Sequence, residues 1–256
     1  MRMKKEVVLL CIDIGNTSIS YGVFRKDRFN ALHYSPTDNI PRLNRCISKI
    51  EHSYPIDCAL ISSVVPKITQ KLRKLIKGKL YIAGQTLEVP IRHRYLSIKR
   101  LGSDRLVNAY GGMKRYGAPL LIFDFGTAVT CDYVSRNGIF EGGLIIPGPE
   151  VSWKGLSEKA AQLPKIPFPK PSRRLPLLGR DTWTGREAGI LHGYAAMADG
   201  LIEKFQAHFK IRPRVVATGG LAKTIYPYSS RIDVLDPLLT LRALVEIFRN
   251  QFKIRS

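Results

Sequence analysis

Cysteine is scarce in this chain. Only Cys11, Cys46, Cys58 and Cys131 occur in 256 residues, with no Cys-x-x-Cys pair and no histidine at ligand spacing. That argues against a structural zinc site and a disulfide framework, and it fits reduced thiols in a cytoplasm. Long apolar runs are also missing: nothing reaches the roughly 18–20 residues that cross a bilayer, so no membrane partner is expected. The run from Val7 to Ile12 follows Arg2, Lys4 and Lys5, but it is too short for a signal-peptide core. It runs into a polar turn with no small-residue cleavage site and reads as a first strand. Acidic residues are few, 20 against 41 Lys and Arg, for a formal net charge of +21. Such a field favours anionic partners, nucleotides among them. The basic residues are spread from Lys4 to Arg255 without a dense run. There is no helix-turn-helix or aromatic-studded basic strand set either, so nucleic acid is not expected as the main partner.

What the chain has is strands that end in glycine-bearing turns. Val7–Phe24 reads as a buried strand, a tight turn at Asp13-Ile14-Gly15-Asn16 and a second strand. Pro119–Val134 repeats the pattern around Asp124-Phe125-Gly126-Thr127, with a further strand at Ile139–Phe140. The two Asp-x-Gly turns lie close to half the chain apart, a period that suggests a duplicated domain rather than a solenoid. Helices are expected over Asn39–Ser53, Lys67–Lys77, Asp104–Tyr116, Ser152–Gln162, Thr182–Phe209 and Leu239–Phe252, and strands at Cys58–Ser62 and Val215–Ala217. Pro164, Pro167, Pro169, Pro171 and Pro176 make the stretch they span a loop. Gly185, Gly189 and Gly193, with Ala195 and Ala196, would let the long helix pack closely on a neighbour. The alternation gives an α/β class, with one lobe over residues 1–116 and a second over 117–256.

A phosphate-binding turn needs converging backbone N–H groups and a glycine that lets the anion approach. Asp13 to Thr17 supplies these, and the carboxylate can hold a divalent cation that bridges phosphate oxygens. The bland alternative is an ordinary hairpin turn. Asp124 to Thr130 repeats the logic, and the two hairpins together would clasp a polyphosphate in the cleft between the lobes. Thr218-Gly219-Gly220-Leu221-Ala222 is a weaker third turn, suited to a nucleotide at a helix N-terminus. Transfer of a phosphoryl group to an alcohol also needs a base near the hydroxyl. Gly102-Ser103-Asp104-Arg105 offers Asp104 as that base and Arg105 as a carboxylate partner; a helix cap explains the same residues equally well.

Taken in order, Asp13 to Thr17, Gly102 to Arg105, Asp124 to Ala128, Gly142 to Gly148 and Thr218 to Ala222 resemble the type III pantothenate kinases, also called the Bvg accessory factor family. The likeness extends to Leu156–Ala160, Leu163-Pro164, Asp181-Thr182 and Asp236–Leu241. It implies an actin-like, ribonuclease H-like ATPase fold of two lobes with ATP in the cleft between them. The implied reaction is phosphorylation of pantothenate to 4′-phosphopantothenate, the first step of coenzyme A biosynthesis. It also implies that Asp104 is the general base and that Tyr95, Gly102, Ser103, Arg105 and Thr182 meet pantothenate. ATP is implied to contact Asp13, Ile14, Gly15, Asn16, Thr17, Ser18, Ile19, Ser20, Thr127, Gly219 and Gly220. The implied ions are a divalent metal such as Mg²⁺, held at Asp13 through phosphate, and K⁺ or NH₄⁺ at Asp124. The implied assembly is a homodimer. Ser103 stands where Ala is commoner, Ile98 where Pro is usual, and Arg242-Ala243 where Gly often follows. Two other readings keep the fold: a kinase for another hydroxylated acceptor, and a nucleotide-binding regulator.

Overall fold

The computed structural model describes residues 7–26, 28–98, 101–160, 167–169 and 175–254. Its chain folds into two compact units. The first comprises Met1–Ile91, Leu96–Lys114 and Leu238–Ser256, the second Arg92–Tyr95 and Arg115–Pro237. The central boundary falls between Lys114 and Arg115. The division differs in two places: the closing helix joins the first unit, and the short segment containing Tyr95 joins the second.

In the first unit, β1 (Leu9–Ile14), β2 (Ser18–Arg25) and β3 (Arg28–Pro36) form an antiparallel meander. β4 (Cys58–Ser63) and β5 (Lys79–Ile82) then add in parallel, giving the order β3-β2-β1-β4-β5. Helices α1 (Ile40–Ser53) and α2 (Pro66–Leu75) connect the parallel strands. Asn39 caps α1 by accepting from Arg42 N at 3.1 Å, and Pro41 fits the first turn, where its missing N–H costs nothing. Leu43, Ile47 and Ile50 recur at helical spacing and are buried with Ile68 and Leu72 of α2 against Leu10, Ile12 and Ile14 of β1. Alternation therefore sends Leu9, Cys11 and Asp13 to the opposite face of the sheet.

That opposite face meets α7 (Leu239–Phe252), which contacts β1 and β4. Helix α3 (Ser103–Tyr116) crosses α7 closely. A Cβ on Gly111 would lie 2.8 Å from the Cα of Ala243, and the buried Asn108 Oδ1 accepts from Thr240 Oγ1 at 2.8 Å.

The second unit repeats the sheet. β7 (Leu120–Phe125), β8 (Ala128–Val134) and β9 (Ile139–Pro147) form the meander, and β10 (Arg214–Thr218) and β11 (Val234–Leu235) add in parallel beside β7. A two-residue strand, β6 (Arg92–His93), joins the edge at β9. The shared order, with β7 in the place of β1, bears out the duplication read from the two Asp-x-Gly turns. Helices α4 (Pro149–Lys159), α5 (Thr182–Phe209) and α6 (Ala222–Ile225) complete the unit. The glycines of α5 do not serve the expected close packing. A Cβ at Gly185, Gly189 or Gly193 would meet nothing within 4 Å among the described residues, and Ala196 is exposed. Ala188, Leu191, Ala195, Ala198 and Ile202 are the buried residues that pack instead. Most of the proline-rich connection, with Gln162, Leu163 and Pro164, lies outside the described residues. No described cysteine is bonded to another, and Cys11, Cys58 and Cys131 are buried.

Candidate active site

Asp13 sits at the end of β1, opposite Ser20 of β2 and Ser62 of β4. The turn that follows is tightly held. Gly15 N donates to Ser18 O at 3.0 Å, and a Cβ on Gly15 would press to 3.1 Å from that same oxygen. Thr37 pins the turn from β3's end, donating through Oγ1 to Gly15 O at 2.8 Å and through its N–H to Thr17 O at 3.0 Å. Asn16, Thr17 and Ser18 are exposed at the tip, and Ser20 is half-buried. The Ile14 and Ile19 side chains point into the core, so those two residues have only their backbone to offer a nucleotide. Thr37 was not singled out from the sequence, because nothing local links it to a turn twenty residues earlier.

Asp104 lies in the first turn of α3, in the same unit. Its Oδ1 accepts from Arg105 N at 2.8 Å, and a Cβ on Gly102 would lie 2.5 Å from that oxygen. Ser103 Oγ donates to Ser63 O at 3.2 Å and so ties the helix start to the end of β4. Burial raises the Asp104 carboxyl above the ordinary aspartate value, and the Arg105 N–H and guanidinium partly oppose the shift. Arg105 itself is buried, with 5% exposed. Asp13 is raised to about 7, first by burial and second by the negative charge of Asp104; the Ser62 hydroxyl offsets part of the rise. Two carboxylates from residues 91 positions apart are thus held in one unit, each raised first by burial.

In the second unit Asp124 occupies the equivalent strand end. Gly219, at φ +93°, passes so close that a Cβ there would overlap Asp124 Oδ1 and reach 2.7 Å from Phe125 N. Only glycine fits both the space and the backbone conformation. Gly126 N donates to Ala128 O at 3.1 Å, and Gly148 N donates to Thr127 O at 2.9 Å, leaving Thr127 exposed. The turn after β10 departs from expectation. The helix following Gly219 and Gly220 spans only Ala222–Ile225, too short to give the turn the helix N-terminus expected there. Tyr95 leans on Phe140, ring centroids 6.2 Å apart, and Gly142 lies beside it. Thr182 is exposed at the start of α5, which Asp181 caps by accepting from Thr184 N at 2.9 Å. That bond lowers the Asp181 pKa.

Among the described residues no three His, Cys, Asp or Glu side chains converge as a metal cage. A divalent ion here would rest on fewer than three such side chains, which suits one carried in on nucleotide phosphates. The raised Asp13 carboxyl is short of positive charge and fits that role.

The profile of the type III pantothenate kinase family matches residues 9–204, from β1 into α5. The chain belongs to this family. A type III pantothenate kinase of Bacillus cytotoxicus is 34% identical over 255 residues, covering 94% of this chain and 95% of that protein. Among solved structures, a Campylobacter jejuni protein described as a Baf family transcriptional activator aligns with a TM-score of 0.59 at 17% identity, covering 96% of this chain and 100% of its own. MreB5 of Spiroplasma citri bound to ADP aligns at 0.51 with 12% identity, covering 96% and 97%. Component A of the Acidaminococcus fermentans (R)-2-hydroxyglutaryl-CoA dehydratase aligns at 0.53 with 13% identity, covering 97% and 100%. Likeness at such identities speaks to fold alone, and the fold is that of the actin-like ATPases. The family match takes in both Asp-x-Gly turns, Asp104 and Thr182; Gly219 and Gly220 lie beyond it. No described helix of this family member is long and apolar enough to cross a membrane.

Proposed function

We propose that this pantothenate kinase transfers the γ-phosphoryl group of ATP to the primary hydroxyl of pantothenate, with Asp104 as general base. The hydroxyl oxygen forms a bond to the γ-phosphorus as the bond to the bridging oxygen breaks. ADP departs with the electron pair, and the hydroxyl proton passes to Asp104. Burial raises the Asp104 carboxyl and so makes it a stronger base than a solvated aspartate. Gly102, Ser103 and Arg105 shape the acceptor side, with Tyr95 and Thr182 as further contacts. The observation that supports this most is the bond from Ser103 Oγ to Ser63 O at 3.2 Å, which ties the helix start bearing Asp104 to the strand end that pairs with Asp13.

The turn from Asp13 to Ser20 and Thr127, Gly219 and Gly220 bind ATP in this reading. Mg²⁺, when bound with ATP, spreads charge from the phosphate oxygens and aligns the γ-phosphoryl group. Asp13 holds that ion, and Asp124 holds K⁺ or NH₄⁺. The protein works as a homodimer; the exposed Leu144 and Ile145 of β9 and Val151 and Leu156 of α4 give the second unit an apolar surface suited to a second copy. Free thiols and the family's metabolic role accord with a cytoplasmic location.

An acceptor screen tests the reading. ADP release from ATP and Mg²⁺ is expected with pantothenate and not with sugars or other hydroxy acids. A preference for a sugar would overturn the substrate and the role of Arg105.

A further inference from the structure

Ser62 is wholly buried, yet no hydrogen bond of regular geometry from any described residue reaches its Oγ. A buried hydroxyl held short of a regular hydrogen bond costs stability, and the charged group it acts on is Asp13, whose raised carboxyl it partly lowers. Its position accounts for this. In the parallel pairing of β1 with β4, Ser62 stands directly opposite Asp13, and paired residues on parallel strands point to the same face of the sheet. That is the face away from the α1 and α2 core, where the neighbours of Asp13 and Ser62 in their strands are Cys11 and Leu60. Just beyond the pair, Val64 N donates to Ile14 O at 3.1 Å, so the two strands stay locked in register. The backbone thus fixes the hydroxyl beside the carboxylate without help from the side chains.

We infer that Ser62 is a positioning residue for Asp13, its hydroxyl turning to donate to one carboxylate oxygen and so leaving the other aimed at the cation that ATP carries. A side chain of this size suits the task. Alanine lacks the donor, and a site with no exposed surface gives a longer polar side chain no solvent to reach into. The adjacent Ser63 does a different job: its Oγ accepts from Val65 N at 3.1 Å and Thr69 Oγ1 at 2.7 Å, capping the entry to α2. The inference rests on Asp13 holding the nucleotide-bound cation.

The test is a double-mutant cycle on the full chain. Binding of a non-hydrolysable ATP analogue is measured by calorimetry with and without Mg²⁺, for wild type, Ser62→Ala, Asp13→Asn and the double variant. Ser62→Ala is expected to weaken Mg²⁺-dependent binding about tenfold, the worth of one hydrogen bond to a charged group. It should leave Mg²⁺-free binding unchanged and have no further effect in the Asp13→Asn background. Unchanged Mg²⁺-dependent binding in Ser62→Ala, with Asp13→Asn defective, overturns the inference alone, as does a loss that persists in full in the double variant. Normal Mg²⁺-dependent binding by Asp13→Asn overturns the role of Asp13 and this inference with it. A single cooperative melt and a wild-type circular-dichroism spectrum for each ligand-free variant separate these outcomes from misfolding.

Discussion

Asp13 at the end of β1 and Asp104 in the first turn of α3 are like charges held within one folded unit, and with burial as the larger cause they leave Asp13 with a pKa of about 7. Each carboxylate would be more stable elsewhere. Their placement makes sense once a cation and a proton-bearing hydroxyl are brought to them.

The shift has a sign that can be measured. The folded pKa of Asp13 lies above its ordinary value of 3.8, so ionising it costs folding free energy. The cost is absent below 3.8, grows as pH rises towards about 7, and is complete above that. Asp13→Asn should therefore raise the melting temperature of the ligand-free protein at pH 8 by roughly 5 °C, on the order of 2 kcal/mol, and have no effect at pH 3.5. Thermal melts across this range check it. Excess Mg²⁺ and ATP should reverse the order at pH 8, favouring wild type.

Gly102 leaves room for the proposed base. Its Cβ would lie 2.5 Å from Asp104 Oδ1 and 3.3 Å from Val64 Cγ1. Gly102→Ala should push the carboxylate off its line and lower kcat about 100-fold, as a displacement of about 1 Å does. Nucleotide affinity should hardly change. Steady-state kinetics alongside nucleotide titration separate the two effects.

Gly219 combines a φ of +93° with a backbone packed against Asp124 and Phe125. Gly219→Ala should cost about 2 kcal/mol or more of folding stability from strain and overlap together. Urea unfolding reads the loss. Gly189→Ala on α5, where a Cβ meets nothing within 4 Å, should instead stabilise by about 1 kcal/mol.

Asp124 carries the proposed monovalent site. Replacing K⁺ by a bulky organic cation should depress wild-type turnover, and Asp124→Asn should be slow and indifferent to K⁺. Initial rates across a K⁺ series, at constant ionic strength, decide it.

Much of this was legible in the sequence because the relevant signals are local. Both Asp-x-Gly turns follow buried strands and open antiparallel partners, which makes the duplication visible in the sequence. Helix α5 begins at Thr182 and ends at Phe209, as expected from the sequence. The misses share a cause, namely partners remote in sequence. Thr37 pins the first turn from another strand's end, Ser62 faces Asp13 only through strand pairing, and α7 packs on the first unit from the far end of the chain. Glycines on α5 looked like packing positions, but composition cannot tell which side of a helix meets a neighbour. Strand β3 also escaped notice, since Arg28–Pro36 mixes polar and apolar residues without clean alternation.

The central claim is that Asp104 takes the hydroxyl proton of pantothenate. The most direct measurement is single-turnover phosphoryl transfer from ATP to pantothenate by Asp104→Asn, with nucleotide and pantothenate affinities measured on the same protein. The account predicts a transfer rate lower by 10²–10⁴ with both affinities within a few-fold of wild type. Wild-type transfer by Asp104→Asn would contradict it.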